Sequence, residues 1–264
     1  MGEWSLSESF NDALHTLELS EDGSYTAYSK EYGEHYHSTR DGALEESYQK
    51  HVIPAFKSLQ KRDEVTILDI CYGLGFNTLC TILYYKEHSP KTKLKIYSPE
   101  LDEDLIKSLE YFHYPEEFKG LEEIIVALSS VGVYEDENLF IELFLGDARA
   151  YVKRFENHFD IVYQDAFSPS SNPVLWTKEY FQDIKIAMKQ RGVVTTYSTA
   201  LRTRLALYEN NFFIYLNSGE SFRSATVASL EELALFEKID MEHKKSCNPT
   251  VKAFCDAELA VNNI

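Results

Sequence analysis

Apolar positions along this chain follow two alternating periods. Val65-Thr66-Ile67-Leu68-Asp69-Ile70 is a β-favouring run, and after Gly73 and Gly75 the residues Phe76, Leu79, Cys80 and Leu83 recur at helical spacing. The pattern repeats downstream. A strand is predicted over Leu94–Glu100, ended by Pro99, and then a helix through Leu105, Ile106, Leu109 and Phe112. Phe140–Leu145 and Asp160–Asp165 are two further strands, followed by a helix carrying Tyr180, Phe181, Ile184 and Met188. Gly192–Ser198 is a fifth strand, and a helix with Arg202, Arg204 and Leu205 follows it. Phe212–Leu216 and Ala225–Leu230 fit a terminal antiparallel pair. Strands alternating with helices predict an α/β, Rossmann-like fold: a mostly parallel seven-stranded sheet with an N-terminal extension.

The remaining stretches set the expected organisation. Residues 1–20 read as a lead-in with a short helical pattern. Asp22-Gly23-Ser24, followed by Tyr25, Tyr28, Tyr32 and Tyr36, suggests a small hairpin. A helix is expected from Ala43 to about Phe56, with Pro54 as a kink or break. Residues 115–138 lack a clean period and read as a partly helical insertion. Residues 1–60 are therefore expected to form an extension or lid on a core of residues 61–232, with 233–264 a tail of undefined role.

Composition narrows the class. A chain of 264 residues with 44% apolar content can build one large core. No run approaches the roughly 20 apolar residues that span a bilayer. Met1–Asn11 is polar and acidic, unlike a secretory signal. Cys71, Cys80, Cys247 and Cys255 show no paired spacing, as suits reduced thiols, so a cytoplasmic protein is expected. His243, Cys247 and Cys255 match no zinc pattern, and no metal is expected. The net charge of −17 opposes general nucleic-acid affinity. Between Lys178 and Arg204, however, six basic residues face two acidic ones, a local balance of +4. That segment is either a solvated helix face or a local anion-binding face.

Candidate chemistry gathers where the strands end. In open α/β sheets, ligands bind beyond the carboxyl ends of the strands. Gly73 and Gly75 permit a sharp turn and a close approach of backbone to ligand. Thr78 occupies the third position of a dinucleotide G-x-G-x-x-G fingerprint, which weakens a nicotinamide reading. Asp69 before the glycines and Glu100 ending the next strand suit S-adenosylmethionine better. That molecule is cationic, has two ribose hydroxyls and lacks a pyrophosphate. Glu100 is the expected ribose acceptor, while Asp102 is expected to cap the next helix. Asp147 is either an adenine acceptor or a helix cap. The loop Asp165-Ala166-Phe167-Ser168-Pro169-Ser170-Ser171-Asn172-Pro173-Val174-Leu175-Trp176 is rich in residues that fix an extended backbone at the ligand edge.

That loop resembles the signature of the methyltransferase domain of the MnmC family, which acts on the tRNA wobble uridine. The similarity extends to Asp69, Gly73, Gly75, Asn77, Glu100, Gly146-Asp147-Ala148 and Tyr197-Ser198-Thr199-Ala200. At the N-terminus, Asp22-Gly23-Ser24, His37-Ser38, Gly42-Ala43 and Glu46 resemble the stand-alone branch without the flavin-dependent oxidase domain. The resemblance implies a class I S-adenosylmethionine-dependent methyltransferase with no FAD. Its reaction would methylate the amine of 5-aminomethyl-2-thiouridine, the final step of 5-methylaminomethyl-2-thiouridine formation. An upstream enzyme would supply that aminomethyl substrate. Asp69, Gly73, Gly75, Asn77, Glu100, Asp147 and Glu46 would serve the cofactor. Asp165 would orient the amine and accept its proton. Phe167, Tyr36 and Tyr32 would stack on an extruded uracil, and Lys178, Arg202 and Arg204 would contact phosphates near the anticodon. Other readings stay open: a small-molecule methyltransferase, an aminopropyltransferase, or a non-catalytic scaffold. An aminopropyltransferase would normally carry a second acid near Asp165, where this chain has Gln164 and Ser168.

Overall fold

The structure, a computed structural model, describes residue 10, residues 13–59 and residues 61–261. Of the lead-in expected over residues 1–20, residues 1–9, 11 and 12 lie outside these, and His15–Leu19 is a strand rather than a short helix. A small antiparallel sheet comes first, built from β1 (His15–Leu19), β2 (Tyr25–Ser29) and β3 (Glu34–His35) in that order. A helical segment over 43–58 comes next. Its centre, Ser47–Val52, is π-helical, and Ile53–Ser58 resumes the α-helix. Pro54 therefore does not break the segment. Ile53 N–H bonds back to Tyr48 C=O across the wider π-turn, and the change of register falls beside the proline, which has no N–H to lose.

Then comes the main sheet. Its strands are β4 (Glu64–Ile70), β5 (Lys93–Glu100), β6 (Val133–Glu135), β7 (Leu139–Leu145), β8 (Phe159–Gln164), β9 (Met188–Thr196), β10 (Phe213–Asn217), β11 (Ala225–Ser229) and β12 (Glu237–Lys238). Their spatial order is β12-β10-β11-β9-β8-β4-β5-β7-β6. The five central strands, β9 to β7, run parallel, and β11, β10, β12 and β6 pair antiparallel. Among the described residues, the seven expected strands are thus flanked by two short edge strands, β6 and β12. Both are too short to show a period. One apolar row, Ile141, Ile96, Ile67, Ile161 and Val193, crosses the five parallel strands in register. Apolar residues fill both faces of β4: Val65 and Ile67 join one core cluster, Leu68 and Ile70 the other. Helices cover both sides of a parallel sheet, so its strands bury both faces.

Two boundaries differ from the sequence expectation. Pro99 sits inside β5 rather than ending it. Pairing with β4 stops at Tyr97, while pairing with β7 runs on to Glu100, so the missing N–H falls where one neighbour has already turned away. Met188 begins β9 instead of ending the helix Lys178–Ala187. In the tail, Met241 and Ala253 are buried in the core on the Trp176 side of the sheet. Among the described residues no helix is long and apolar enough to cross a membrane.

Candidate active site

Strand order reverses around β4, and a cavity opens at the carboxyl ends of the parallel strands. Its volume is about 1150 Å³, which exceeds the usual range for a single small ligand. One wall is the turn after β4. Cys71, Gly73 and Gly75 all have positive φ there, at 65°, 55° and 80°. A non-glycine residue held in this region is strained, and such strain concentrates at functional sites. A Cβ on Gly73 would stand 3.0 Å from the Tyr36 ring, between the turn and the extension. Gly75 is different. It does not line the cavity, and a Cβ there would meet the Tyr72 hydroxyl at 2.6 Å. The left-handed backbone and the Tyr72 ring together account for that glycine.

Glu100 lines the cavity and is buried. Its Oε2 accepts from Gly73 N–H at 2.9 Å, and its Oε1 accepts from Leu101 and Asp102 N–H at 2.7 and 2.9 Å. Burial raises its pKa, and these backbone donors oppose the rise. The carboxylate therefore knits β5 to the glycine turn, and keeps lone pairs free for a ligand. Asp102 accepts from Leu105 N–H at 2.8 Å, the expected cap. Asp147 lines the cavity while capping Ala148–Val152 through Arg149 and Ala150 N–H, so both of its readings are geometrically open. Asp69 does not line the cavity. It lies on the β4 face shared with Val65 and Ile67, where Thr78 Oγ1 donates to it at 2.7 Å. Burial, aided by the nearby Asp165 charge, pushes its pKa up to about 7 against the Thr78 bond.

Asp165 follows β8 directly, and its side chain is 10% exposed. Asn77 Nδ2 donates to its Oδ2 at 2.7 Å, and His51 Nε2 lies 3.3 Å from its Oδ1. Burial alone would raise its pKa. The His51 and His37 imidazoles and the Asn77 amide outweigh burial and hold it at about 2. The loop beyond it is fastened at several points. Trp176 Nε1 donates to Phe167 C=O at 2.8 Å, and Tyr197 Oη donates to Ala166 C=O at 2.9 Å. Glu34 of β3 accepts from Ser168 N–H at 2.9 Å, from Ser171 Oγ at 2.7 Å and from Ser168 Oγ.

The extension supplies the opposite wall. Tyr32 stacks on Phe167 with centroids 4.6 Å apart, and Tyr36 tilts against the same ring at 4.9 Å. The three aromatics picked from sequence therefore meet beside Asp165. Glu46 also reaches the cavity, taking 2.7 Å bonds from Ser38 N–H and from Lys50 Nζ. Lys50 is buried and pairs with Asp41 as well, at 2.7 Å. Arg223, from the loop before β11, donates to Ser38 Oγ at 2.7 Å and to Asp41 at 3.2 Å.

The three cations chosen from sequence stand elsewhere. Lys178 is exposed and does not line the cavity. Arg202 packs its guanidinium 3.8 Å above the Phe254 ring and pairs with Glu258. Arg204 is part-buried, with Nε bonded to Thr226 Oγ1 at 3.0 Å. Arg202 and Arg204 are thus drawn to the tail and the sheet. The cations that do reach the cavity are Arg40, Lys50 and Arg223. These, with His51 and Glu34, escaped sequence reasoning, and His37 stood out there only as part of the family resemblance. The i, i+4 spacing of Glu46 and Lys50 was the available signal for one of them.

A doubly covered parallel sheet, a glycine turn and acidic groups at the strand ends define the class of S-adenosylmethionine-dependent methyltransferases. Carboxylates at Glu100, Asp102, Asp147 and Asp165 suit a cationic donor with ribose hydroxyls, and the cavity has room for it and an acceptor. Residues 113–231 match a family of S-adenosyl-L-methionine-dependent methyltransferases. The crystal structure of MnmC2 from Aquifex aeolicus superposes with a TM-score of 0.81 at 32% identity, covering 95% of this chain and 82% of that one. The chain belongs to the MnmC methyltransferase family, whose methyl donor is S-adenosylmethionine. The uncharacterized protein MJ0670 of Methanocaldococcus jannaschii is 29% identical over 76% of this chain. The bifunctional tRNA 5-methylaminomethyl-2-thiouridine biosynthesis protein MnmC of Leptospira interrogans is 26% identical over 71% of it. The matches span 55% of MJ0670 and 31% of that MnmC protein. Spermidine synthase from Thermotoga maritima, with a TM-score of 0.53 at 17% identity, shares the fold alone.

Proposed function

We propose that this protein methylates the primary amine of 5-aminomethyl-2-thiouridine at the tRNA wobble position. One observation carries the reading: an ionised Asp165 and the rings of Tyr32, Phe167 and Tyr36 share one cavity with the carboxylates suited to the donor. An amine and a flat base can be received there together. The described part of the extension, residues 13–58, acts as the lid over them. S-adenosylmethionine supplies an electrophilic methyl carbon; Glu100, Asp147 and the backbone around Gly73 would hold it.

Asp165 accepts a hydrogen bond from the amine and turns its lone pair toward the donor. A group with a pKa of about 2 is a poor resting place for a proton. Its main contribution is therefore negative charge beside a nitrogen that becomes cationic as it gains the methyl, with the surplus proton leaving to water. Tyr32 and Phe167 stack on each other as they stand, so a base must displace one ring to enter. Substrate phosphates meet Arg40 and Arg223 at the cavity mouth.

The test is methyl transfer from labelled S-adenosylmethionine to three tRNA preparations. One carries the aminomethyl nucleoside, one lacks it and one is already methylated. Label in the first alone, released on digestion as the methylaminomethyl nucleoside, is the expected result. Equal labelling of all three, or transfer only to small amines, overturns the assignment.

A further inference from the structure

His51 touches Asp165, yet the reaction as described gives it no task. Its side chain is fully buried. Nδ1 lies 3.0 Å from Thr195 Oγ1 of β9, and the ring stands edge-on to Tyr163 of β8. The imidazole is thus gripped by two strands of the main sheet while Nε2 faces the carboxylate. It comes from the π-helical turn of the extension, and one extra residue in a turn rotates the rest of the helix by about 100°. Such turns recur where a helix must aim side chains at a site. Asn77 bonds Oδ2, and Oδ1 faces the His51 Nε2 at 3.3 Å.

We propose that His51 is a positioning residue for Asp165, clamped by Thr195 so that it fixes the carboxylate rotamer and keeps it ionised and acceptor-only while the amine is bound. The inference rests on Asp165 receiving the amine. A carboxylate that picked up a proton would turn a donor toward the nitrogen, and one free to rotate would take its acceptor oxygens away from it. The groups around Asp165 frame the balance. His37 from the extension, Asn77 from the helix after the glycine turn, and Asp69, Cys71 and Tyr197 from the adjoining strand ends surround it. Asp69, Cys71 and Tyr197 are acids, so losing His51 leaves Asp165 with His37 and Asn77 to offset burial. The groups facing His51 are Asp165, Thr195, Tyr163, His37 and Asp69.

The experiment compares His51→Leu, His51→Gln and Thr195→Val with the parent. The Asp165 carboxyl resonance is followed by carbon-13 NMR against pH and assigned by its loss in Asp165→Asn. Single-turnover methylation of aminomethyl tRNA and calorimetric binding of S-adenosylmethionine are measured in parallel. In His51→Leu the Asp165 titration should move upward and turnover should fall on the order of 10- to 100-fold, with donor affinity unchanged. His51→Gln, which keeps an N–H donor, should recover part of both. Thr195→Val, which frees the far side of the ring, should fall between. An unmoved Asp165 titration in the folded variants overturns the proposal, and so does an equal turnover loss in Leu and Gln without a titration shift. If the parent does not methylate this tRNA, the substrate assignment fails, while the titrations still decide the role of His51.

Discussion

Glu34→Ala should release the loop that carries Asp165 and Phe167. The carboxylate accepts from Ser168 N–H at 2.9 Å, Ser171 Oγ at 2.7 Å and Ser168 Oγ, the clearest fastening between the extension and that loop. A hydrogen bond to a charged group contributes about 1.5–3 kcal/mol when shielded. Glu34 is half-buried, and the two hydroxyls can turn to water, so the sum overstates the effect. A net loss of about 2–3 kcal/mol is the reasonable scale, which raises the open population of the loop on the order of 30- to 150-fold. Backbone amide exchange over residues 166–172 measures this directly. Glu34→Gln, still an acceptor but uncharged, should lie between. The same contact has a pH signature. Burial raises the Glu34 pKa, but the bonds from Ser168 and Ser171 outweigh it and hold the group below its ordinary 4.5. A depressed carboxylate stabilises the fold above its unfolded pKa, and that contribution is lost as pH falls through the lower folded value. Parent loop protection should therefore fade only in acid below about 4.5, and Glu34→Ala should lack that step. Unchanged exchange in a folded Glu34→Ala protein would refute the latch and leave the loop held by its Trp176 and Tyr197 bonds.

Asp165→Asn should bind S-adenosylmethionine normally yet lose turnover by at least about 100-fold in single-turnover assays, because the amide puts a donor where an acceptor is needed. A near-normal rate would reduce Asp165 to a loop-fixing role. Glu100→Ala leaves the N–H groups of Gly73, Leu101 and Asp102 without their acceptor. It should lower both thermal stability, by about 2–4 kcal/mol, and donor affinity, as seen by scanning and titration calorimetry. Asp69 carries the opposite sign to Glu34: its folded pKa of about 7 lies above its ordinary 3.8, so its contribution to stability falls as pH rises between those values. Asp69→Asn should flatten that slope in denaturant titrations at pH 5 and pH 8. Paired Arg40→Gln and Arg223→Gln changes should weaken tRNA binding and reduce its salt slope by about one unit per contact, whereas Arg202→Gln should leave that slope intact.

The sheet was legible because its strands are apolar runs punctuated by glycine, proline and acids. The same punctuation marked Glu100 and Asp165, which end strands at the ligand edge. The features that stayed hidden depend on partners far away in sequence. His51 meets Thr195 across 144 residues, and no local period announces that pairing. Arg202 looked free because Lys252 and Glu258, which claim it, lie 50 and 56 residues on. For Asp69 and Gly75, position along a strand or turn does not reveal which face the residue takes. Pleat direction turned Asp69 under Thr78, and Tyr72 filled the space beside Gly75. The π-turn leaves no compositional trace, since its residues would also suit an α-helix.

The clasp between the extension and the loop before β11 has a bearing on how the molecule is made. Ser38 and Arg223, the ends of one hydrogen bond, are 185 residues apart, and Asn217 reaches back to Gln49 across 168. During synthesis, residues 13–58 emerge before the main sheet and wait until Arg223 has followed. The main sheet must form before the small sheet has a surface to settle on. Contacts of such long range slow folding, even though the added entropic cost grows only with the logarithm of the separation. The cavity is consequently among the last features to appear. Nascent chains that have passed β4 hold the glycine turn but lack β8, β9 and Arg223, and so have no enclosed site to offer a ligand. Donor binding then reports completed folding, and a protein stalled short of residue 223 would be recognised by its failure to bind.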